Sequence, residues 1–265
     1  MTRVLVTNDD GVGAPGIRWL ANAAHALGLD VVVAAPQHEA SGMSAALTAV
    51  TDEGRVVFAQ TTVGDVAGYS VSASPGYIIV LAGLGTFGPP PDVVLSGINR
   101  GANAGYAILH SGTVGAALTA ANSGVRAMAV SLDVLSPAAA SAESGGAAIA
   151  ALDTVEDETR NWGTAAELAG RLLPWLVDAP AGTVLNVNVP DVPSDKLAGW
   201  RQASLAPFGQ VQMAIAEKGA DFVRTAIEEN GARQIPGTDL AWLAQGYASV
   251  TAVCPLSYAD VELPT

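Results

Sequence analysis

Cysteine is nearly absent: Cys254 is the single residue of its type among 265. An intramolecular disulfide is therefore excluded, and the expected compartment is a reducing one, the cytoplasm. Basic residues are scarce as well, with 12 Lys and Arg against 25 Asp and Glu and a net charge of −13. They form no cluster, so polymeric nucleic acid and anionic membrane surfaces would be repelled. A small phosphate-bearing partner survives this argument only where a local cation cancels the field. Long apolar runs are missing too. Mean hydropathy is +0.35, yet the most apolar stretches are short or carry Ser, Glu and Gly, so no transmembrane helix is expected. The first residues enter a strand with no basic-then-apolar leader, so no signal peptide is expected.

What is present is a large apolar fraction. Half the residues are hydrophobic and 14% are charged, which allows a sizeable core in one large domain, with or without an arm. "RVLVTN" reads as a buried strand. "APGIRWLANAAHALG" places Ile17, Leu20, Ala21, Ala24 and Leu27 on one helical face, with Pro15 at its start and Gly28 as its stop. "DVVVAAP" is the next strand, which completes a βαβ unit with parallel pairing. The stretch 45–73 alternates around Gly54 and Gly64-Asp65 and predicts hairpins. "SPGYIIVLAGLG" is helical, "PPPDVVLSG" enters a buried strand, and "SGTVGAALTAANSG" is a helix with a Ser/Thr cap before the strand "RAMAVSL". Residues 134–148 read as a loop or a frayed helix start. "TAAELAGRLLPWLVD" is helical up to a kink at Pro174, and "GTVLNVNVP" is a strand. From about 198, "GWRQASL" and "GYASVTAV" suggest an antiparallel appendage. The expectation is a Rossmann-like, doubly wound, mostly parallel α/β core over residues 1–197, with a C-terminal antiparallel extension over 198–265.

In such sheets the site lies beyond the carboxyl ends of the strands. Three strand ends then come under scrutiny: Asn8-Asp9-Asp10, Pro36 to Ser44, and Ser96 to Asn103. The first is followed by Gly11-Val12-Gly13-Ala14-Pro15-Gly16, which satisfies the G-x-G-x-x-G pattern of dinucleotide-binding turns, and Glu39 stands a little over twenty residues on. Electrostatics argue against that reading. A pyrophosphate there would sit against Asp9 and Asp10 with no positive residue in view, and Pro15 removes an amide from the cradle. The plainest alternative for Asp-Asp-Gly is a turn with a helix cap. Its neighbours favour a third reading. Asp9 and Asp10 are hard oxygen donors, Ser41 and Ser44 bring hydroxyls, and Asn99 and Asn103 bring amide oxygens. Oxygen-only ligation suits Mg²⁺, Mn²⁺ or Ca²⁺ rather than a structural zinc. Such an ion would also make an acidic pocket receptive to phosphate.

"SGINRGANAG", residues 96–105, reads as a long loop whose amides face the same rim. The helix after it offers backbone N–H groups of Ser111, Gly112 and Thr113 as a phosphate site. His110 is either a proton donor to a leaving oxygen or an ordinary capping residue. His25 is expected on the surface of the first helix, and His38 on a loop able to approach the site.

Taken in order, "VLVTNDDG" with "APGI", "VVAAPQHEASGMS", "DVVLSGINRGAN", "HSGTVGAA" and "LNVNVP" resemble the SurE family of metal-dependent nucleotide phosphatases, the stationary-phase survival proteins. A weaker echo is "GTDLAWLAQGYASVT". The resemblance implies one divalent cation, Mg²⁺ or Mn²⁺, per subunit, held by Asp9, Asp10, the Ser41 hydroxyl and Asn99. It implies hydrolysis of phosphomonoesters such as nucleoside 5′- or 3′-monophosphates, and a C-terminal extension used in dimer or tetramer assembly. The chain departs from the family pattern at Ala40, Ala102, Tyr106, Thr119 and the segment Ser74-Pro75-Gly76-Tyr77, and region 203–236 barely matches. None of these removes an implied ligand, although they alter the pocket wall. On this reading Asp9 or Asp10 is the base for the attacking water, and Asn99 with the Ser111 to Thr113 amides stabilises the phosphoryl oxygens. One rival is a phosphoaspartyl enzyme, disfavoured because the acids are adjacent and "DVVLSGIN" offers no lysine. Another is a weakened paralogue that binds metal and a phosphorylated metabolite without efficient turnover.

Overall fold

The computed structural model describes residues 1–135, 157–229 and 235–257. Most of the Ala/Ser/Gly-rich stretch 134–148 lies outside the described residues.

The chain builds a nine-stranded mixed sheet. Its elements are β1 (Arg3–Thr7), α1 (Pro15–Ala26), β2 (Asp30–Pro36), the two-residue strands β3 (Thr51–Asp52) and β4 (Arg55–Val56), β5 (Phe58–Val63), β6 (Val66–Val71), α2 (Pro75–Gly83) and β7 (Val93–Arg100). There follow α3 (Gly112–Asn122), β8 (Arg126–Asp133), α4 (Trp162–Asp178), β9 (Val184–Pro190), β10 (Trp200–Gln202), β11 (Val211–Lys218), β12 (Val223–Glu229), α5 (Asp239–Leu243) and β13 (Ala248–Val253). The sheet order is β10-β13-β9-β8-β7-β1-β2-β6-β5. Pairings from β9 through β8, β7, β1 and β2 to β6 are parallel, while β5 on β6 and β13 on β9 are antiparallel.

Alternation along each strand divides the core between two faces. Val4 and Val6 of β1 pack with Ile17 and Leu20 of α1 and Leu173 and Leu176 of α4. Leu5, between them, packs on the other face with Ile78 of α2 and Val114 of α3. Each such fully buried side chain contributes about 1.5–3 kcal/mol. Helices on both faces leave the carboxyl-end rim of the sheet as the open edge.

Three details differ from the expectation. Leu27 does not join the buried helical face: it follows α1 as its C-cap and is 46% exposed. The helix α4 continues through Pro174 to Asp178. The segments "GWRQASL" and "GYASVTAV" do not form a separate antiparallel arm. They supply β10 and β13, which pair in parallel with each other and extend the main sheet beyond β9. The antiparallel hairpin of this region is β11–β12, which forms its own two-stranded sheet. Among the described residues no helix is long and apolar enough to cross a membrane.

Candidate metal centre

β1 lies between β2, which the chain reaches through α1, and β7, which it reaches after crossing back through α2. The winding reverses at this pair of strands, so their carboxyl ends flank the crevice of the sheet. Asn8, Asp9 and Asp10 leave β1 at this point, and Asn99 and Arg100 end β7. Val12 N–H bonds to the Pro36 carbonyl at 2.8 Å, and the Ala40 N–H to the Asp9 carbonyl at 2.7 Å. These bonds draw the loop after β2 against the aspartates.

Asp9 is 4% exposed. The hydroxyl of Thr113, in the first turn of α3, donates a short hydrogen bond to its carboxylate. Burial raises the Asp9 pKa, and hydrogen bonds from Thr113, from Asp9's own amide and from the Thr113 and Gly112 amides oppose that rise. A Cβ on Gly112 would stand 2.7 Å from Asp9 Oδ2, so only glycine lets the helix start this close. Asp10 is pushed up to about 7, first by burial and then by the charge of Asp9. Glu39 adds to the rise, while the Arg100 amide and guanidinium work against it.

Two adjacent carboxylates that both resist ionisation form a site that a divalent cation would stabilise. Among the described residues no group of three His, Cys, Asp or Glu side chains is placed to hold a metal ion by itself. A cation here would therefore take its remaining ligands from neutral oxygens, which suits Mg²⁺ or Mn²⁺ and not zinc. Buried oxygens without a protein partner lie at the same strand ends: Thr7 Oγ1, Asn8 Oδ1 and Ser96 Oγ, the first and last on register-paired residues. The residues present fit such an ion.

The other sequence-singled residues have different partners. Asn99 donates from Nδ2 to the Gly101 carbonyl at 2.8 Å, which leaves its Oδ1 for a ligand. Ser41 is exposed and donates to Glu39 Oε1 at 2.8 Å, one residue beyond the Ala40–Asp9 bond. Ser44 donates to the Leu109 carbonyl at 2.6 Å. Asn103 anchors its loop: its N–H and carbonyl bond to Asn188, its carbonyl also to Asn186, and its Nδ2 to Ser131. The α3 amides are not three free donors. Ser111 N–H bonds to the Ile108 carbonyl, its hydroxyl caps the helix at Val114 N–H, and Gly112 and Thr113 face Asp9. The helix N-terminus is therefore occupied by the chain's own carboxylate. His25, His38 and His110 are all exposed.

Arg100 corrects the sequence reading that nothing positive stands near Asp10. It lines a cavity of about 320 Å³ together with Asp10, Glu39, Asp157 and Trp162, and its Nη1 lies 3.6 Å from Asp157 Oδ1. The strand-end rule could have found it, since Arg100 follows Asn99 directly. Thr113 was noted for its amide, and its hydroxyl's service to Asp9 had no local signal.

The chain matches the family described as survival protein SurE over residues 4–212. The 5′/3′-nucleotidase SurE of Edwardsiella ictaluri is 36% identical over 94% of this chain and 88% of its own length. The 5′-nucleotidase SurE of Nitrosococcus oceani is 35% identical, covering 95% of this chain and 90% of that protein. The crystal structure of the SurE protein from Aquifex aeolicus aligns with a TM-score of 0.72 at 26% identity, over 97% of this chain and 95% of that one. With an aspartate pair at the reversal point of the sheet and similarity sustained along nearly its whole length, this chain belongs to the SurE family.

Proposed function

We propose that this protein is a divalent-metal-dependent phosphomonoesterase that hydrolyses nucleoside monophosphates or a related phosphorylated small molecule. The observation that carries the reading is the adjacent pair Asp9 and Asp10 at the carboxyl end of β1, the first buried and the second half-buried, with both carboxyl pKa values raised by desolvation. The nucleotidase names of the relatives support the substrate class.

Asp9, Asp10, Asn99 Oδ1 and the Ser41 hydroxyl would hold one Mg²⁺ or Mn²⁺ per subunit. When bound, such an ion supplies Lewis acidity toward a phosphoryl oxygen and makes a nearby water more acidic. The chain's own groups do the rest. Thr113 fixes the orientation of Asp9. Ser41 now donates to Glu39 and would have to exchange that bond to act as a ligand. Asp10 receives fewer hydrogen bonds than Asp9 and takes the proton from the attacking water. Asn99 keeps a second N–H on Nδ2 for a phosphoryl oxygen. The Gly112 and Thr113 amides at the start of α3 are directed to the Asp9 carboxylate and act on the phosphate only through it. A phosphoaspartyl route has less support, because among the described residues no lysine lines the cavity beside Asp10.

The exposed Ile215, Phe222 and Val223 on the β11–β12 hairpin support assembly into dimers or tetramers through residues 198–265. Light scattering on the wild type and on Phe222→Glu checks that. The free, exposed Cys254 supports a cytoplasmic location.

The deciding experiment is a phosphate-release screen over nucleotides, sugar phosphates and other monoesters, with and without added Mn²⁺. Wild type should release phosphate only with metal, and Asp9→Asn should lose several orders of magnitude in turnover while staying folded. Near-normal hydrolysis by Asp9→Asn defeats the assignment. Metal binding without hydrolysis of any ester would leave the weakened paralogue instead.

A further inference from the structure

The segment 101–110 joins β7 to α3, so it stands between Asn99 on one side and Ser111, Gly112 and Thr113 on the other. Its placement governs both. At its start the Gly101 carbonyl orients the Asn99 amide at 2.8 Å, and Gly101 N–H is held by the Leu132 carbonyl at 2.9 Å. At its end α3 presents the Thr113 hydroxyl to Asp9. The middle of the loop is held at two points. Asn188 grips Asn103 through both its amide oxygen, at 2.8 Å, and its amide nitrogen, at 2.9 Å. Two residues further along, Asp239 Oδ2 accepts the Gly105 N–H at 2.7 Å.

Asp239 is fully buried, and its other oxygen accepts from Ala206 N–H and Leu240 N–H, both at 2.9 Å. Three amides therefore satisfy this carboxylate, and one of them belongs to a residue 134 positions away. The contact is close. Gly105 has φ +62°, and a Cβ there would fall 1.7 Å from the Phe208 carbonyl oxygen. Tyr106 N–H bonds to the Ala206 carbonyl at 2.9 Å, and Ala104, Ala206, Leu240 and Leu243 pack over the junction.

We propose that Asp239 is a positioning residue for the reaction proposed above: by fixing Gly105 it sets the loop that orients Asn99 and presents Thr113 to Asp9. The inference rests on that functional reading, yet the placement of the loop can be measured without it. Asp239→Asn is a selective probe. Its single oxygen can keep the Ala206 and Leu240 bonds, while its NH₂ opposes the Gly105 N–H. Thr238→Ala is the control for mere stability. Thr238 caps α5 by accepting from Ala241 N–H and donates to the Ile235 carbonyl, with no bond to the loop. Asn188→Ala frees the loop at its other anchor and leaves Asp239 alone.

Hydrogen exchange of residues 101–110 and steady-state kinetics are measured for all three variants with Mn²⁺ present. Asp239→Asn and Asn188→Ala should each speed exchange in the loop and lower kcat by about tenfold or more, with little change in KM, as expected for loss of a charged or doubled buried hydrogen bond. Thr238→Ala should lower Tm and leave loop exchange and kcat as in the wild type. Unchanged exchange and kcat in Asp239→Asn would overturn the proposal. So would Thr238→Ala reproducing both effects, or Asn188→Ala producing neither. If the wild type hydrolyses no monoester, the proposed function falls and the exchange data alone judge the clamp.

Discussion

Thr113 donates its hydroxyl hydrogen bond to the carboxylate of Asp9, joining residues 104 positions apart at the start of α3 and the end of β1. Both are buried. The contact makes the helix a support for the aspartate pair, and it gives the site a dependence on α3 that no local pattern states.

Thr113→Val keeps the side-chain shape and removes the donor. It leaves a buried carboxylate short of one partner, which costs about 1–3 kcal/mol. The expected outcome is weaker Mn²⁺ binding by calorimetry and turnover lower by about one to two orders of magnitude, with a fall in Tm. Unaltered metal affinity would show that Asp9 does not depend on this bond.

The pH dependence of the cation-free protein follows from Asp10. Its pKa in the fold, about 7, lies above the ordinary carboxylate value, so the folded state binds the extra proton. The resulting stabilisation is fully present below the unfolded value of 3.8 and is lost as pH rises through 7. In the presence of a chelator Tm should therefore fall between pH 5 and pH 8, and Mn²⁺ should restore it most at pH 8. Asp10→Asn should flatten both trends. A chelated wild type whose Tm shows the same pH profile as Asp10→Asn would contradict the assignment.

Arg100 works in the opposite sense, lowering the pKa of Asp10 through its charge. Arg100→Gln should move the midpoint of pH-dependent Mn²⁺ binding to higher pH, because the proton leaves Asp10 less readily. The measurement is a set of metal titrations from pH 5 to 8.5. A midpoint that stays put, or moves down, assigns Arg100 to its Asp157 contact alone.

Gly16→Ala tests how tightly α1 closes on the end of β7. A Cβ at Gly16 would meet the Ile98 carbonyl oxygen at 2.0 Å, whereas one at Gly13 meets nothing within 4 Å. Urea unfolding should show Gly16→Ala destabilised by about 1–3 kcal/mol or more, and Gly13→Ala changed by less than about 0.5 kcal/mol. Activity should fall in the first variant, since Ile98 precedes Asn99.

Much of the fold was legible in the sequence for reasons that are local. Val4, Leu5 and Val6 alternate between the two faces because strand geometry has a period of two, and Ile17, Leu20, Ala21 and Ala24 share a face because helix geometry has a period of 3.6. The Ser111 cap and the Pro15 start depend on residues within one turn. The placement of β10 and β13 was less legible. Their short runs alternate as an exposed arm would, and what seats them is the free edge of β9.

The candidate site shows the same division. That Asp9, Asp10 and Asn99 stand at strand ends is readable from apolar runs and the polar residues that stop them, since a buried strand must end where polar groups return to the rim. How they are held is a matter of tertiary structure. Thr113 reaches Asp9, Arg100 shares the Asp10 cavity, the Asn103 backbone bonds to Asn186 and Asn188 while its side chain donates to Ser131, and Asp239 seizes Gly105. Each pairing satisfies a polar group that close packing has removed from water, and the partner comes from whichever distant segment the packing brings within reach.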